Sequence, residues 1–112
     1  MARASSAPDL VPGTLEMLIL QTLSIRPMHG YAVAKHIADS SRDVLQVGQG
    51  SLYPALERLL SQGFVTAKWG DSPTGRKARH YTITAAGRRR LGQEISEFDN
   101  VLAAIARVLQ RA

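Results

Sequence analysis

The chain has 112 residues, no cysteine and a formal net charge of +5; its 45% hydrophobic and 21% charged content is that of a folded globule. The length allows one domain with a modest core and leaves no room for separate substrate and catalytic domains, while the lack of cysteine excludes disulfides, zinc–cysteine sites and thiol chemistry. The N-terminal decapeptide MARASSAPDL has no apolar signal core and no apolar run reaches membrane-spanning length, so a soluble, cytoplasmic protein with no membrane partner is expected.

Residues 1–10 are small and polar and read as a frayed segment. Pro12-Gly13-Thr14 then opens a helical stretch, TLEMLILQTLSI, in which Leu15, Leu18, Ile19 and Thr22 recur at helical spacing. Met17, Leu20 and Leu23 make it apolar nearly all round. A helix of that kind is buried on every side, which in so short a chain points to a second subunit, with Leu15 and Leu18 among the contacts.

Arg26-Pro27-Met28-His29-Gly30 breaks the helix, and YAVAKHIADSS follows as an amphipathic stretch. Val33 and Ile37, with Ala34 and Ala38, face inward there; Lys35 and Asp39 lie on the polar side. After the Gly48-Gln49-Gly50 turn, Ser51 suits the N-cap of a third helix reaching Gln62, with Pro54 tolerated in the first turn. Leu52, Leu56, Leu59 and Leu60 form its buried stripe. Ser51, Pro54, Arg58 and Ser61 occupy the opposite side, Tyr53 sits on the flank, and Gly63 is a natural stop.

Phe64 to Trp69 and His80 to Thr84 read as strands joined by the loop GDSPTGRKA, with Trp69 and Tyr81 expected as core beneath the hairpin. Thr84 suits the cap of a final helix carrying Leu91, Ile95, Phe98, Leu102, Ile105 and Leu109. Their spacings of 4, 3, 4, 3 and 4 residues make a heptad seam, widened by Val101 and Val108. A dimer interface explains that spacing best; packing on its own domain is the alternative.

Charge is concentrated in one region. Between Phe64 and Gly92 stand seven basic residues and one acid, a local +6 that leaves the rest of the chain at −1. A basic wing on a nearly neutral body suits a phosphate-binding surface. Three helices, a hairpin and a fourth helix are the parts of a winged helix-turn-helix, a mostly α fold with a small β-hairpin spanning residues 11–84, followed by a dimerisation helix over residues 85–112. In that arrangement the third helix offers Gln49, Ser51, Tyr53 and Pro54 to duplex DNA, with Arg58 one turn later. Lys68, Arg76, Lys77 and Arg79 supply the wing, the last three flanking a tight Pro73-Thr74-Gly75 turn. Arg88, Arg89 and Arg90 cannot all share one helix face. The alternative reading is a protein-interaction module that uses the same seam and reads no DNA.

Catalysis and metal binding find little support. His29, His36 and His80 make no ligand pattern, Ser51 in GQGSL is not a nucleophile elbow, and no carboxylate pair stands out. No enzyme activity, cofactor or metal is expected.

Four segments in order, LVPGTLEMLILQTL, HGYAVAKHI, GQGSLYPALERLLSQGFV and GRKARHYTITAAGRRRL, resemble the PadR family of bacterial transcriptional regulators over Leu10 to Leu91. The resemblance implies a homodimeric repressor whose first and last helices build the interface, binding a pseudo-palindromic operator and in many members released by a small molecule. It places the recognition-helix tyrosine on Tyr53, the wing basics on Arg76, Lys77 and Arg79, and a position at the start of the turn motif on Tyr31. The single C-terminal helix matches the compact branch, some members of which bind flat hydrophobic compounds between subunits. Here the final helix supplies only Phe98 as an aromatic and the first helix none.

Overall fold

A computed structural model describes residues 13–71 and 74–111. The N-terminal segment expected to fray, Pro12 and Pro73 lie outside the described residues. The elements run α1 (Thr14–Leu23), β1 (Met28–His29), α2 (Gly30–Ser40), α3 (Gln49–Ser61), β2 (Val65–Asp71), β3 (Lys77–Ile83) and α4 (Ala85–Val108). The expected winged helix-turn-helix with a long terminal helix is what the chain forms.

Helix boundaries follow from local hydrogen bonding. The His29 ring accepts from the Ala32 N–H at 3.3 Å and so caps α2. Thr84 caps α4 as expected: its Oγ1 accepts from the Gly87 N–H at 3.0 Å and donates to the Gly63 carbonyl at 2.8 Å. That second bond ties the start of α4 to the end of α3. Gly63, at a φ of +79°, closes α3 with the expected stop. The Phe64 N–H reaches the Leu59 carbonyl and the Gly63 N–H the Leu60 carbonyl, both near 3 Å. The start of α3 differs from expectation. Gly48 is the N-cap, and its carbonyl already accepts from Ser51 and Leu52, so Ser51 lies inside the first turn instead of capping it.

The sheet order is β1-β3-β2, all antiparallel, with β3 in the centre. The hairpin strands extend further toward the loop than expected, from Val65↔Ile83 to Asp71↔Lys77. β1 pairs Met28 with Tyr81 and His29 with His80. A two-residue strand carries no periodicity and exists only because β3 offers its open edge.

α1 is the hub, packing on α2, α3, α4 and β3. Ile19, Leu20 and Leu23 meet Val33, the α3 stripe Leu52, Ala55, Leu56 and Leu59, and Val65, Tyr81 and Ile83 from the sheet. Among the described residues Thr22 is the one buried polar side chain in this core, and its hydroxyl donates to the Leu18 carbonyl at 2.8 Å. Much of the all-round burial of α1 is thus satisfied within the chain, with Leu15 and Leu18 half-buried against the same core.

Two expectations are corrected. Trp69 is not core: it is 67% exposed. Period two places it on the face of Val65 and Ala67, yet its ring stays open to solvent. Tyr81, paired opposite Ala67, is buried as expected. Leu91 sits in the chain's own core, because the first two turns of α4 pack on α1. Beyond it, Ile95, Phe98, Val101, Leu102, Ile105, Val108 and Leu109 are exposed along a helix about 36 Å long at 1.5 Å per residue.

Candidate nucleic-acid interface

The N-terminal half of α3 is open to solvent. Gln49, Ser51, Tyr53 and Pro54 are all exposed there, while Leu52, Ala55 and Leu56 hold the helix to the core. Tyr53 leans over the start of α2. A Cβ added to Gly30 would lie 2.8 Å from Tyr53 Cε1 and 2.9 Å from its hydroxyl, so the phenol rests where only glycine leaves room. Next to it Tyr31 is 67% exposed, stacked near the His29 ring with centroids 6.4 Å apart.

Arg58 stands on the other flank of α3. Its Nε donates to Glu16 of α1 at 2.6 Å, so this guanidinium is engaged within the protein.

The wing basics separate into groups. Period two puts Lys77 and Arg79 on the inner face of the hairpin with Trp69, and Lys68 on the outer face. Arg79 is committed: it bonds Glu57 of α3 at 3.0 Å, and its guanidinium lies 5.6 Å from the Tyr81 ring centroid. That contact braces the wing against α3. Burial pushes the Tyr81 phenol above its ordinary pKa, with Arg79 partly opposing the rise. Lys77 makes only a 3.8 Å pair with Asp71, both ends well exposed, an arrangement that contributes little. Among the described residues, Lys68 and Arg76 have no ion-pair partner. The mobile positive charge of the wing therefore lies on Lys68, Arg76 and Lys77. In the arginine run, Arg90 bonds Glu94 at 3.0 Å and lies over the Phe64 ring, whereas Arg88 and Arg89 are exposed.

Between the start of α2, α3 and the inner face of the wing runs a groove of about 860 Å³. Tyr31, Tyr53, Trp69, Arg76, Lys77 and Arg79 border it, together with His29, Lys35, Glu57 and Tyr81. Of these, Trp69, Lys35, Glu57 and His29 were not singled out from the sequence as interface residues. They come from three separate segments, and no spacing connects them. Among the described residues no cluster of three or more His, Cys, Asp or Glu could hold a metal ion, and no helix is long and apolar enough to cross a membrane.

Comparison with known proteins agrees with this geometry. A transcriptional regulator from Clostridium thermocellum superposes with a TM-score of 0.81 at 23% identity, over 89% of this chain and 97% of that one. A PadR family regulator from Eggerthella lenta gives 0.76 at 29% identity, over 89% and 85%. A PadR-like regulator from Bacillus cereus gives 0.73 at 26% identity, over 89% and 95%. The model of the "Transcriptional regulator PadR-like family" matches residues 19–93, from the middle of α1 through the first turns of α4. The chain belongs to the PadR-like family of transcriptional regulators.

Proposed function

We propose that this regulator is a cytoplasmic homodimeric repressor that binds a pseudo-palindromic operator in duplex DNA. One observation carries the reading: the open N-terminal half of α3 lies beside a hairpin bearing the exposed cations Lys68, Arg76 and Lys77, of which only Lys77 has a carboxylate partner, and that a loose one, with no acid on α3 before Glu57. On this reading residues 11–84 are the DNA-binding unit. Gln49, Ser51, Tyr53 and Pro54 approach base edges in the major groove, the wing follows the phosphates, and Tyr31 touches the backbone. Arg79 acts mainly as the brace, and Arg58 reaches DNA only by leaving Glu16.

Residues 85–112 form the dimerisation arm. The row from Ile95 to Leu109 is a contiguous apolar strip that a monomer would leave in water, and a second copy covers it with the same seam. Leu15 and Leu18 border the junction of the two arms, and Leu91 supports it from the core side. Two α3 helices then enter successive major grooves about 34 Å apart. No enzymatic step or cofactor belongs to this function, and release by a small hydrophobic or aromatic effector completes it.

The test is fluorescence anisotropy with duplexes selected from a random pool. Saturable binding of a two-fold symmetric sequence by a dimer is expected. A folded sample that binds no duplex at low salt overturns the reading in favour of an interaction module.

A further inference from the structure

α3 carries only two charged residues, Glu57 and Arg58, in its whole length from Gln49 to Ser61. Both are paired within the protomer, and with different neighbours. Glu57 accepts from Arg79 of the wing at 3.0 Å, and Arg58 donates to Glu16 of α1 at 2.6 Å. Being about 100° apart around the axis, they lie on opposite flanks of the Leu52–Leu56–Leu59 stripe. α3 therefore shows DNA no unpaired charge, while the hairpin beside it keeps Lys68, Arg76 and Lys77 exposed.

Packing does not require the Glu16–Arg58 pair. α1 and α3 are already joined through Ile19, Leu20 and Leu23 against Leu52, Ala55, Leu56 and Leu59, and an ion pair on the rim adds little to such a contact. What the pair fixes is where Arg58 points. Arg58 follows Pro54 by one helical turn and Ser51 by two, on the outward side of α3. It is 57% exposed, so its long side chain would reach phosphate if released. Glu16 holds it firmly. The carboxylate is only 18% exposed and the bond is short and charge-assisted. A departing Arg58 would leave a largely desolvated charge uncompensated.

We propose that Glu16 is a specificity-determining residue: it withholds the only cation of α3 from phosphate, so that α3 selects sequence while the wing supplies charge-driven affinity. This role rests on the DNA-binding reading above. Phosphate contacts strengthen binding to every sequence, whereas base contacts select. A free arginine on the reading helix would let α3 settle on any duplex wherever phosphates are nearest. On the operator the pose is fixed by base edges, so the same arginine gains less there.

The experiment is a double-mutant cycle on the full-length protein, read by fluorescence anisotropy. Parent, Glu16→Ala, Arg58→Gln and Glu16→Ala/Arg58→Gln are each titrated with the selected operator and with an unrelated duplex of equal length. Glu16→Ala should bind the unrelated duplex more tightly, with a salt slope steeper by about 1.8, the value for two new phosphate contacts per dimer. Its gain at 50 mM salt should then exceed its gain at 200 mM by about 12-fold, and the operator's advantage should narrow. In the Arg58→Gln background the same substitution should leave slope and ratio almost unchanged, which separates a freed arginine from a merely lost negative charge. Arg58→Gln alone should bind like the parent. Glu16→Gln, of nearly equal volume, should shift the slope in the same direction and decides the matter if Glu16→Ala is poorly folded.

Four results each overturn the role: an unchanged or shallower slope without Glu16, a steeper slope that persists without Arg58, an operator gain equal to that of the unrelated duplex, or an Arg58→Gln slope already shallower by about 1.8. All four are read on a parent protein that binds DNA. A parent that binds no duplex at low salt fails the DNA-binding reading itself and takes this role with it.

Discussion

Salt dependence of DNA binding tests how the wing charges are distributed. Phosphate contacts release condensed counterions, so the logarithm of affinity falls with the logarithm of salt in proportion to the cations engaged. Arg76 and Lys77 are the groove-bordering wing cations without a strong internal partner. Arg76→Gln/Lys77→Gln removes two charges per protomer and four per dimer, so the slope should become shallower by about 3.6. Between 50 and 200 mM salt, that makes the variant lose about 150-fold less affinity than the parent protein. Arg79→Gln is the matched comparison, since its guanidinium is held by Glu57 at 3.0 Å. Its slope should move by well under the roughly 1.8 that two free phosphate contacts per dimer would give. Anisotropy titrations at four or five salt concentrations read both slopes. An unchanged slope in the double variant, or an Arg79→Gln slope as shallow as two lost contacts require, refutes the assignment of free and committed charges.

Other perturbations separate packing from recognition. Gly87→Ala places a methyl 2.1 Å from the Phe64 carbonyl oxygen, a backbone atom that cannot step aside. A loss of about 2–3 kcal/mol by chemical denaturation is expected, and a stability equal to the parent's would show that the α4–β2 junction is loose. Gly30→Ala meets the movable end of the Tyr53 ring instead, so stability should change by less than about 1 kcal/mol. DNA affinity should nonetheless fall, because the tyrosine is displaced; unchanged affinity would remove Tyr53 from the interface. Leu102→Glu places a charge at the centre of the exposed α4 row and should give monomers by analytical ultracentrifugation that bind operator poorly. A dimer that persists would locate the subunit contact elsewhere.

The parts of this fold that repeat with a helical or strand period were legible in the residues themselves. The Leu52–Leu56–Leu59 stripe, the heptad row after Leu91 and the Thr84 cap each depend on neighbours within one or two turns, and local geometry dictates them. The basic wing was visible as charge density, and the family resemblance rested on short motifs in order. What local pattern could not reveal were contacts between distant segments. Arg58 meets Glu16 across 42 positions, and Arg79 meets Glu57 across 22. Each pairing gives a cation expected to face DNA a carboxylate partner from a distant segment. β1 exists only because β3 presents an unpaired edge to Met28 and His29. Trp69 has the alternation of a core residue and nonetheless lies exposed, outside the core. The convergence of Tyr31, Tyr53, Trp69 and Tyr81 on one groove likewise joins distant segments. Periodicity decides which face of an element a side chain occupies, but only the docking of α2, α3 and the hairpin decides which faces meet.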